Sequence, residues 1–379
     1  MTELVRPRYG EASLADVLPS VLSCLGVPGA HDTLQLEYVL YDVRTVVVLL
    51  VDGLGHELLP AARRSGPTLA ALGVGSPVLT AGFPTTTPTS LTSFGTGSPP
   101  GAHGILGFFL RIPGTDQIIN HIRWDDDPDP LRWQPLRTQF DVARAGGVTP
   151  YVVSRPEYDN SGLTRAAFRG SRYVPASDTE ALAEQIIDIA RRERGRTLIY
   201  GYDPTVDSCG HLYGVGSPQW HRAVADVDHL VTILLERLPR GAALVVTADH
   251  GQLNVPPGSR IDLDADPRLR VGVDVVAGEA RVRYLHTPPG ARDDVVATWR
   301  EILGTAAVVM PRDEAVADGW FGPIPESHLQ RVGDVVVMCT GDHVVLATQT
   351  DPPSVGTLVA FHGSGTAVEM HIPLLVGRR

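Results

Sequence analysis

The stretch Val46-Val-Val-Leu-Leu-Val-Asp52-Gly53 decides the fold class of this 379-residue chain. Its unbroken run of β-branched and other apolar side chains is typical of a strand that is covered on both faces in a parallel sheet. Similar runs recur at residues 149–154, 197–202, 243–247 and 372–376, with helical patterns between several of them. This alternation predicts an α/β fold with a central, mostly parallel sheet flanked by helices.

Two helices have recognisable start signals. Ser177, with Glu180 three residues later, has the pattern of a capping box and predicts a helix that ends near residue 194. The pair Ser217-Pro218 predicts an N-cap and a first helical residue for a second helix, which ends near residue 238.

Two stretches, residues 108–135 and 252–351, do not follow the alternation of strand and helix patterns seen in the rest of the chain. The second has strand and helix signals of its own. We therefore predict that residues 252–351 form a smaller inserted α+β subdomain, which could cap the site, and that residues 1–251 and 352–379 form the core.

Composition excludes several classes of protein. The formal net charge of -11 leaves no basic stretch that could follow a nucleic-acid backbone, so a nucleic-acid polymer is not the expected partner. The longest apolar run is much shorter than the ~20 residues of a membrane span. The N-terminal residues lack the apolar segment of a secretory signal. Three cysteines, an odd number at unrelated spacings, fit a reducing compartment, and we expect a cytoplasmic protein with no membrane partner.

Polar residues that follow the predicted strands form the strongest functional signal. Because open α/β sheets bind ligands beyond the carboxyl ends of their strands, we expect these side chains to lie at one edge. Carboxylates and imidazoles together suit zinc and, less well, manganese or iron, and six of them suit two neighbouring ions. Taken singly, each could instead be a helix cap, a loop residue or a core histidine. The six residues are Asp52, Asp207, His211, Asp249, His250 and His362.

The segment Phe83-Pro-Thr-Thr-Thr-Pro-Thr-Ser90 offers a nucleophile. If Pro88 is the first residue of a helix, Thr87 is its N-cap, and its hydroxyl faces free N–H groups that suit a phosphate oxygen. A threonine hydroxyl requires activation by a metal before it can attack at neutral pH. Composition alone leaves Thr85 and Thr86 as alternatives, and an ordinary Thr/Pro-rich turn as another.

These motifs, in this order, resemble those of the alkaline phosphatase superfamily and, within it, the type I phosphodiesterase/nucleotide pyrophosphatase family. The resemblance covers most of the core but not the insertions, and it implies an alkaline-phosphatase-like fold. The segments that carry it are Val51-Asp-Gly53, Pro84-Thr-Thr-Thr87, Thr96-Gly97, His103-Gly-Ile105, Asp207-x-x-x-His211, Asp249-His-Gly251 and His362-Gly363.

The resemblance assigns a role to each matching residue. Thr87 corresponds to the nucleophile, which attacks phosphorus and forms a phosphothreonine intermediate that is then hydrolysed. Asp207, His211 and His362 would hold one zinc ion. Asp52, Asp249 and His250 would hold the other, together with the Thr87 oxygen. The implied activity is metal-dependent hydrolysis of phosphodiester or pyrophosphate bonds in a small anionic, nucleotide-like substrate.

Two departures concern the substrate. Where the family usually has an asparagine that binds a phosphate oxygen, this chain has Phe108. We predict that Phe108 and Asn120 contact the substrate, with His121 and Arg123 as alternative donors. The loop before Asp207 is also longer than usual. A phosphomonoesterase or phosphonate hydrolase of the same superfamily is therefore the alternative, and a non-catalytic metal-binding scaffold is a third. The sequence leaves the oligomeric state open.

Overall fold

A computed structural model describes residues 4–378 and contains a central six-stranded sheet. The strand order is β18-β8-β1-β7-β5-β6. Strands β1, β5, β6, β7 and β8 run parallel to one another, and β18 is antiparallel to β8. This confirms the predicted mostly parallel sheet. The described strands are β1 Thr45–Val51, β2 Val78–Thr80, β3 Phe109–Arg111, β4 Ile118–Asn120, β5 Thr149–Ser154, β6 Arg172–Pro175, β7 Thr197–Asp203, β8 Ala242–Thr247, β9 Leu253–Asn254, β10 Arg260–Asp262, β11 Val275–Glu279, β12 Val282–His286, β13 Ala307–Pro311, β14 Val335–Cys339, β15 Val344–Leu346, β16 Ala360–Phe361, β17 His371–Pro373 and β18 Leu375–Arg378.

Helices flank the sheet and connect its strands. The two start signals read from the sequence had different outcomes. Ser217 caps α11 as predicted, because its hydroxyl accepts the N–H of Trp220. The described α-helices are α1 Val17–Cys24, α2 Leu59–Ala62, α3 Pro67–Leu72, α4 Thr87–Thr96, α5 Pro100–His103, α6 Pro130–Trp133, α7 Gln139–Ala145, α8 Gly162–Phe168, α9 Thr179–Arg192, α10 Thr205–Tyr213, α11 Pro218–Arg237, α12 Arg292–Leu303, α13 Arg312–Ala317, α14 Glu326–Leu329 and α15 Ala367–Met370.

The cap of α9 is Asp178 and not Ser177, so that prediction was wrong by one residue. The Asp178 carboxylate accepts the N–H of Ala181, while the Ser177 hydroxyl donates to Asp178. A carboxylate at the N-cap also interacts favourably with the positive end of the helix, which explains why the helix begins one position later.

The interior strands β1, β7 and β8 are buried along their whole length, as their unbroken apolar runs predicted. The run at residues 372–376 is not one strand. It divides at Leu374 because β17 pairs with β2, whereas β18 pairs with β8 in the central sheet. Nowhere between residues 4 and 378 does a helix combine the length and apolar character that a membrane crossing requires.

A second, antiparallel sheet lies within residues 252–351, in the order β11-β12-β14-β13. Together with α12 it encloses a separate apolar cluster around Trp299. Its other face packs on the main core through residues such as Tyr284 and Val336. The predicted division into a core and an inserted subdomain stays a prediction, since both sheets share this contact.

Candidate metal centre and nucleophile

The carboxyl ends of the central strands bring the six predicted residues together. Asp52 directly follows β1, and Asp249-His250 follows β8 after one residue. β7 leads through Pro204 into α10, which contains Asp207 and His211. His362 follows β16. The side chains form two groups of three, Asp52–Asp249–His250 and Asp207–His211–His362, and within each group the ligand-type atoms lie within 4.8 Å of one another.

The first group is buried and contacts Thr87. His250 Nε2 lies 3.4 Å from Asp52 Oδ1 and 3.4 Å from Asp249 Oδ2. Thr87 Oγ1 is 3.3 Å from the same nitrogen. The candidate nucleophile is therefore part of this group's immediate surroundings.

The second group depends on one turn of α10. Asp207 and His211 are four residues apart, so both project from the same helix face, with His211 Nε2 at 3.3 Å from Asp207 Oδ2. His362 Nε2 lies 3.9 Å from Asp207 Oδ1. The rings of His362 and His250 stack with their centroids 3.6 Å apart, which makes the two groups direct neighbours.

Each histidine is held in one orientation by a backbone carbonyl. The His211 Nδ1–H group donates to Ala360 O at 2.8 Å, and that of His250 donates to Gly251 O at 3.2 Å. The His362 Nδ1–H group donates to Thr85 O at 2.8 Å. Each Nε2 therefore presents a lone pair to the site, as is usual for metal-binding imidazoles. His211 Nε2 and His362 Nε2 face each other at 3.2 Å, an arrangement that a shared cation would stabilise.

Burial disfavours charge throughout the cluster. It raises the pKa of Asp52, Asp207 and Asp249, and it lowers the pKa of His250 and His362. Each of the three carboxylates also has one buried oxygen without a hydrogen-bond partner in the described structure. Buried carboxylates with unpartnered oxygens beside neutral imidazoles are the donor set that a pair of divalent cations would satisfy. The residues thus fit the two metal ions that the family resemblance implies.

The start of α4 differs from the prediction by one residue. Thr86 is the N-cap, with extended backbone, Thr87 is the first helical residue and Pro88 the second. Pro88 has no N–H group to donate, so it is tolerated in the first turn at either position. Thr87 remains at the positive end of the helix dipole. The Thr85 hydroxyl, one of the alternative nucleophiles, instead donates a hydrogen bond to Ser364 O at 2.7 Å.

A cavity of about 460 Å³ opens beside Thr87 and both ligand groups. Phe108 and Asn120, the two predicted substrate-binding residues, both line it, as does Arg123. The Asn120 Oδ1 atom accepts two backbone N–H groups, which leaves its amide NH₂ as a donor. His121 does not reach the cavity, because it is buried between Gly107 O and the Trp133 indole.

Three further features support the site through contacts that had no clear signal in the sequence. The Tyr202 hydroxyl donates a hydrogen bond to Asp52. Gly251 packs so tightly that a Cβ there would lie 2.0 Å from Val368 O. Glu279, from the inserted stretch, lines the cavity and accepts the N–H of Phe108 at 3.0 Å. The sequence places Tyr202 at the end of a predicted strand, but it does not reveal the hydrogen bond to Asp52.

A fourth feature is a fully buried ion pair behind the His362 loop. The Arg281 guanidinium donates to both oxygens of Glu369 at 2.9 and 2.6 Å, and neither side chain is exposed. Glu369 Oε1 also accepts the N–H of Ser364 at 2.9 Å, and Oε2 accepts the hydroxyl of Thr366. The pair ties the turn between β11 and β12 to the segment that follows His362.

Curated relatives resemble this chain over part of their length. An uncharacterized pyrophosphatase/phosphodiesterase of Schizosaccharomyces pombe is 26% identical over 233 residues, which are 58% of this chain and 47% of the relative. Ectonucleotide pyrophosphatase/phosphodiesterase 2 of Saccharomyces cerevisiae is 25% identical over 198 residues, or 48% and 40% of the two chains. The chain thus spans less than half the length of these relatives.

Solved structures share the fold. Murine ectonucleotide pyrophosphatase/phosphodiesterase 5 superposes with a TM-score of 0.70 and 20% identity, covering 88% of each chain. Phosphonoacetate hydrolase from Sinorhizobium meliloti, solved with phosphonoacetate, gives a TM-score of 0.69 and 19% identity, covering 89% of this chain and 91% of that one. Both have the alkaline-phosphatase-like architecture that the resemblance implied.

The model of one family matches residues 46–365, from the first central strand to just beyond His362. The match includes both ligand groups and the threonine segment. The chain therefore belongs to the type I phosphodiesterase / nucleotide pyrophosphatase family.

Proposed function

We propose that the protein hydrolyses a phosphodiester or pyrophosphate bond in a small, nucleotide-like substrate, with Thr87 as nucleophile. The observation that carries the proposal is the position of Thr87 Oγ1, 3.3 Å from His250 Nε2 and at the start of α4. There, a hydroxyl lies next to a candidate metal group and at a helix N-terminus, which both favour a bound phosphoryl group.

Two divalent cations would occupy the two groups, with Zn²⁺ the expected metal and Mn²⁺ an alternative. Asp207, His211 and His362 would hold one, and Asp52, Asp249 and His250 the other, with the Thr87 oxygen as a further ligand. When bound, the cations would favour ionisation of the Thr87 hydroxyl and of water and would neutralise charge on the phosphoryl and leaving oxygens.

In the proposed reaction, the Thr87 oxygen forms a bond to phosphorus as the bond to the leaving oxygen breaks. Water then cleaves the phosphothreonine and restores the hydroxyl. The free N–H groups at the start of α4 can stabilise negative charge on the phosphoryl oxygens in both steps. In agreement with this role, an inactive variant of the murine relative with threonine replaced by alanine was solved in complex with AMP.

Phe108 and Asn120 are the proposed substrate-binding residues. The Phe108 ring contacts that of Phe109, with centroids 4.8 Å apart, and gives the cavity an apolar wall against which a flat ester group could pack. The free amide NH₂ of Asn120 can donate to a substrate oxygen. A small anionic phosphoester is thus the proposed partner. The three cysteines are free, and this fits the proposed cytoplasmic location.

The test compares zinc-loaded protein on bis-p-nitrophenyl phosphate and on p-nitrophenyl phosphate. We expect faster cleavage of the diester. Thr87→Ala should lower kcat by at least about 10³-fold, because it removes the attacking atom. Thr115→Ala, at an exposed turn, is the matched control and should retain activity.

A second candidate function is phosphonate or phosphomonoester hydrolysis, since a phosphonoacetate hydrolase has the same fold. Faster cleavage of p-nitrophenyl phosphate or of phosphonoacetate than of the diester would favour it. A protein that binds no metal and cleaves no phosphoester would instead be a non-catalytic scaffold.

A further inference from the structure

One carboxyl group of the cavity belongs to neither ligand group. Glu279 is the last residue of β11 and lines the cavity together with Thr86, Thr87 and Phe108. Its Oε2 accepts the Phe108 N–H at 3.0 Å, while its Oε1 is buried without a hydrogen-bond partner among residues 4–378. Thr86 Oγ1 is buried beside it, and the Thr86 hydroxyl interacts with the Glu279 carboxyl group. A buried carboxyl group that belongs to neither ligand group thus lies next to the residue that precedes the candidate nucleophile.

The charged neighbours of Glu279 are already paired. Arg283 binds Asp351, and Glu369 binds Arg281. The Tyr284 hydroxyl donates to Leu106 O at 2.8 Å. No cation among these is free to neutralise an ionised Glu279. The other titratable or charged groups that line the cavity are Asp52, Asp207, His211, His362, Glu157, Tyr158, Tyr173, Tyr200, Tyr202, Arg123 and Asp351.

We propose that the Glu279 carboxyl group, in its neutral form, donates a hydrogen bond to a non-bridging oxygen of the bound phosphoryl group. Phosphoryl oxygens offer only lone pairs, so an ionised carboxylate beside them would repel the substrate, whereas a carboxylic acid attracts it. The amide of Phe108 fixes the other carboxyl oxygen and thereby orients the group. The inference rests on the proposed function and names a donor that is not one of the six ligand-type residues.

The electrostatics of the site support a neutral Glu279. Burial raises the pKa of Glu279 to about 8, and the Phe108 N–H, the Thr86 hydroxyl and the Arg283 charge oppose this rise only in part. The donor is therefore present below the pKa and is lost as the pH rises through it. Bound cations favour the ionised form, which places the midpoint at or below this value.

Binding without turnover gives the most direct test. In a Thr87→Ala background loaded with zinc, the affinity for bis-p-nitrophenyl phosphate is measured by calorimetry from pH 5.5 to 9.5. This diester keeps a constant charge over the range, so its own titration does not contribute. We compare Glu279 with Glu279→Gln, whose amide remains a donor at every pH, and with Glu279→Ala. Glu184→Gln, on an exposed face of α9, is the matched control.

We expect Kd to increase by about 10-fold or more towards alkaline pH with Glu279, the usual range for loss of a hydrogen bond to a charged group. The pH response of Glu279→Gln should be at least several-fold smaller, and Glu279→Ala should bind weakly at every pH. Tighter binding by Glu279→Gln than by the parent at pH 6 would overturn the inference, because it would mean that Glu279 is ionised and repulsive.

Two further outcomes would also contradict it: an unchanged alkaline response in Glu279→Gln, or full affinity in Glu279→Ala. Zinc content and melting temperature of each variant show whether the site is intact, and Glu279→Gln preserves the contact with Phe108. If the protein binds the diester normally but the Glu279 variants give either of these outcomes, only this inference is wrong. If the Thr87→Ala protein does not bind the diester and the protein with Thr87 intact does not cleave it, the proposed function is wrong as well.

Discussion

The buried pair Arg281–Glu369 makes a quantitative prediction about how the inserted stretch supports the site. We consider Glu369→Leu, Arg281→Met and the double variant. Both side chains are fully buried, so either single change leaves one charge without its partner in the interior. The double variant replaces the pair with apolar side chains of similar size.

Loss of one member of a buried ion pair costs about 3–5 kcal/mol. The cost of Arg281→Met should lie at the lower end of this range, because Glu369 keeps the hydrogen bonds from Ser364 and Thr366. The double variant removes both charges but leaves those two donors unsatisfied, for which we expect about 2 kcal/mol. With ~2.1 cal/mol/K of unfolding entropy per residue, a chain of 379 residues loses roughly 1 °C of Tm for each 0.8 kcal/mol.

We therefore expect Tm to fall by about 4 °C in Arg281→Met, about 6 °C in Glu369→Leu and only about 2–3 °C in the double variant. Calorimetric melts of the zinc-loaded proteins measure these shifts. Arg192→Met, at an exposed pair with Asp188, is the control and should change Tm by at most about 1 °C. Single shifts below 1 °C, or a double variant as unstable as the sum of the two, would refute this account of the pair.

Three other predictions concern the site. Chelation with EDTA should lower Tm by several degrees, because each bound metal stabilises the fold by about 2.7 kcal/mol when its free concentration is 100 times its Kd. An unchanged Tm would mean that no metal is bound. Tyr202→Phe removes the hydroxyl that donates to Asp52, and zinc competition with a chelator should show about 10-fold weaker binding; equal affinity would contradict this role. Gly251→Ala would place a Cβ 2.0 Å from Val368 O, so we expect a lower Tm and loss of zinc from the Asp249–His250 group, whereas an unshifted loop in its crystal structure would disprove the clash.

Much of the fold could be predicted because its signals are local. The apolar runs of β1, β7 and β8 and the cap at Ser217 each lie within a few neighbouring residues. The six ligand-type residues were also accessible, since carboxyl ends of parallel strands meet at one edge and the family order of motifs is retained.

What remained hidden depends on contacts between distant segments. Glu279 and Arg281 lie in the inserted stretch, where nothing in the nearby sequence reveals that one faces the Phe108 amide and the other Glu369. The caps at Thr86 and Asp178 were displaced by one residue because several adjacent residues can cap a helix, and the neighbouring backbone selects one.

The order of the ligand-type residues along the chain has a consequence for biosynthesis. Asp52 is made long before His362, and β18, which closes one edge of the central sheet, follows His362 in the chain. A nascent chain can therefore build most of the parallel sheet while one of its two prospective cation pockets still lacks a histidine. Acquisition of the full metal complement, and with it any hydrolytic competence, should therefore await synthesis and folding of the segment that contains His362.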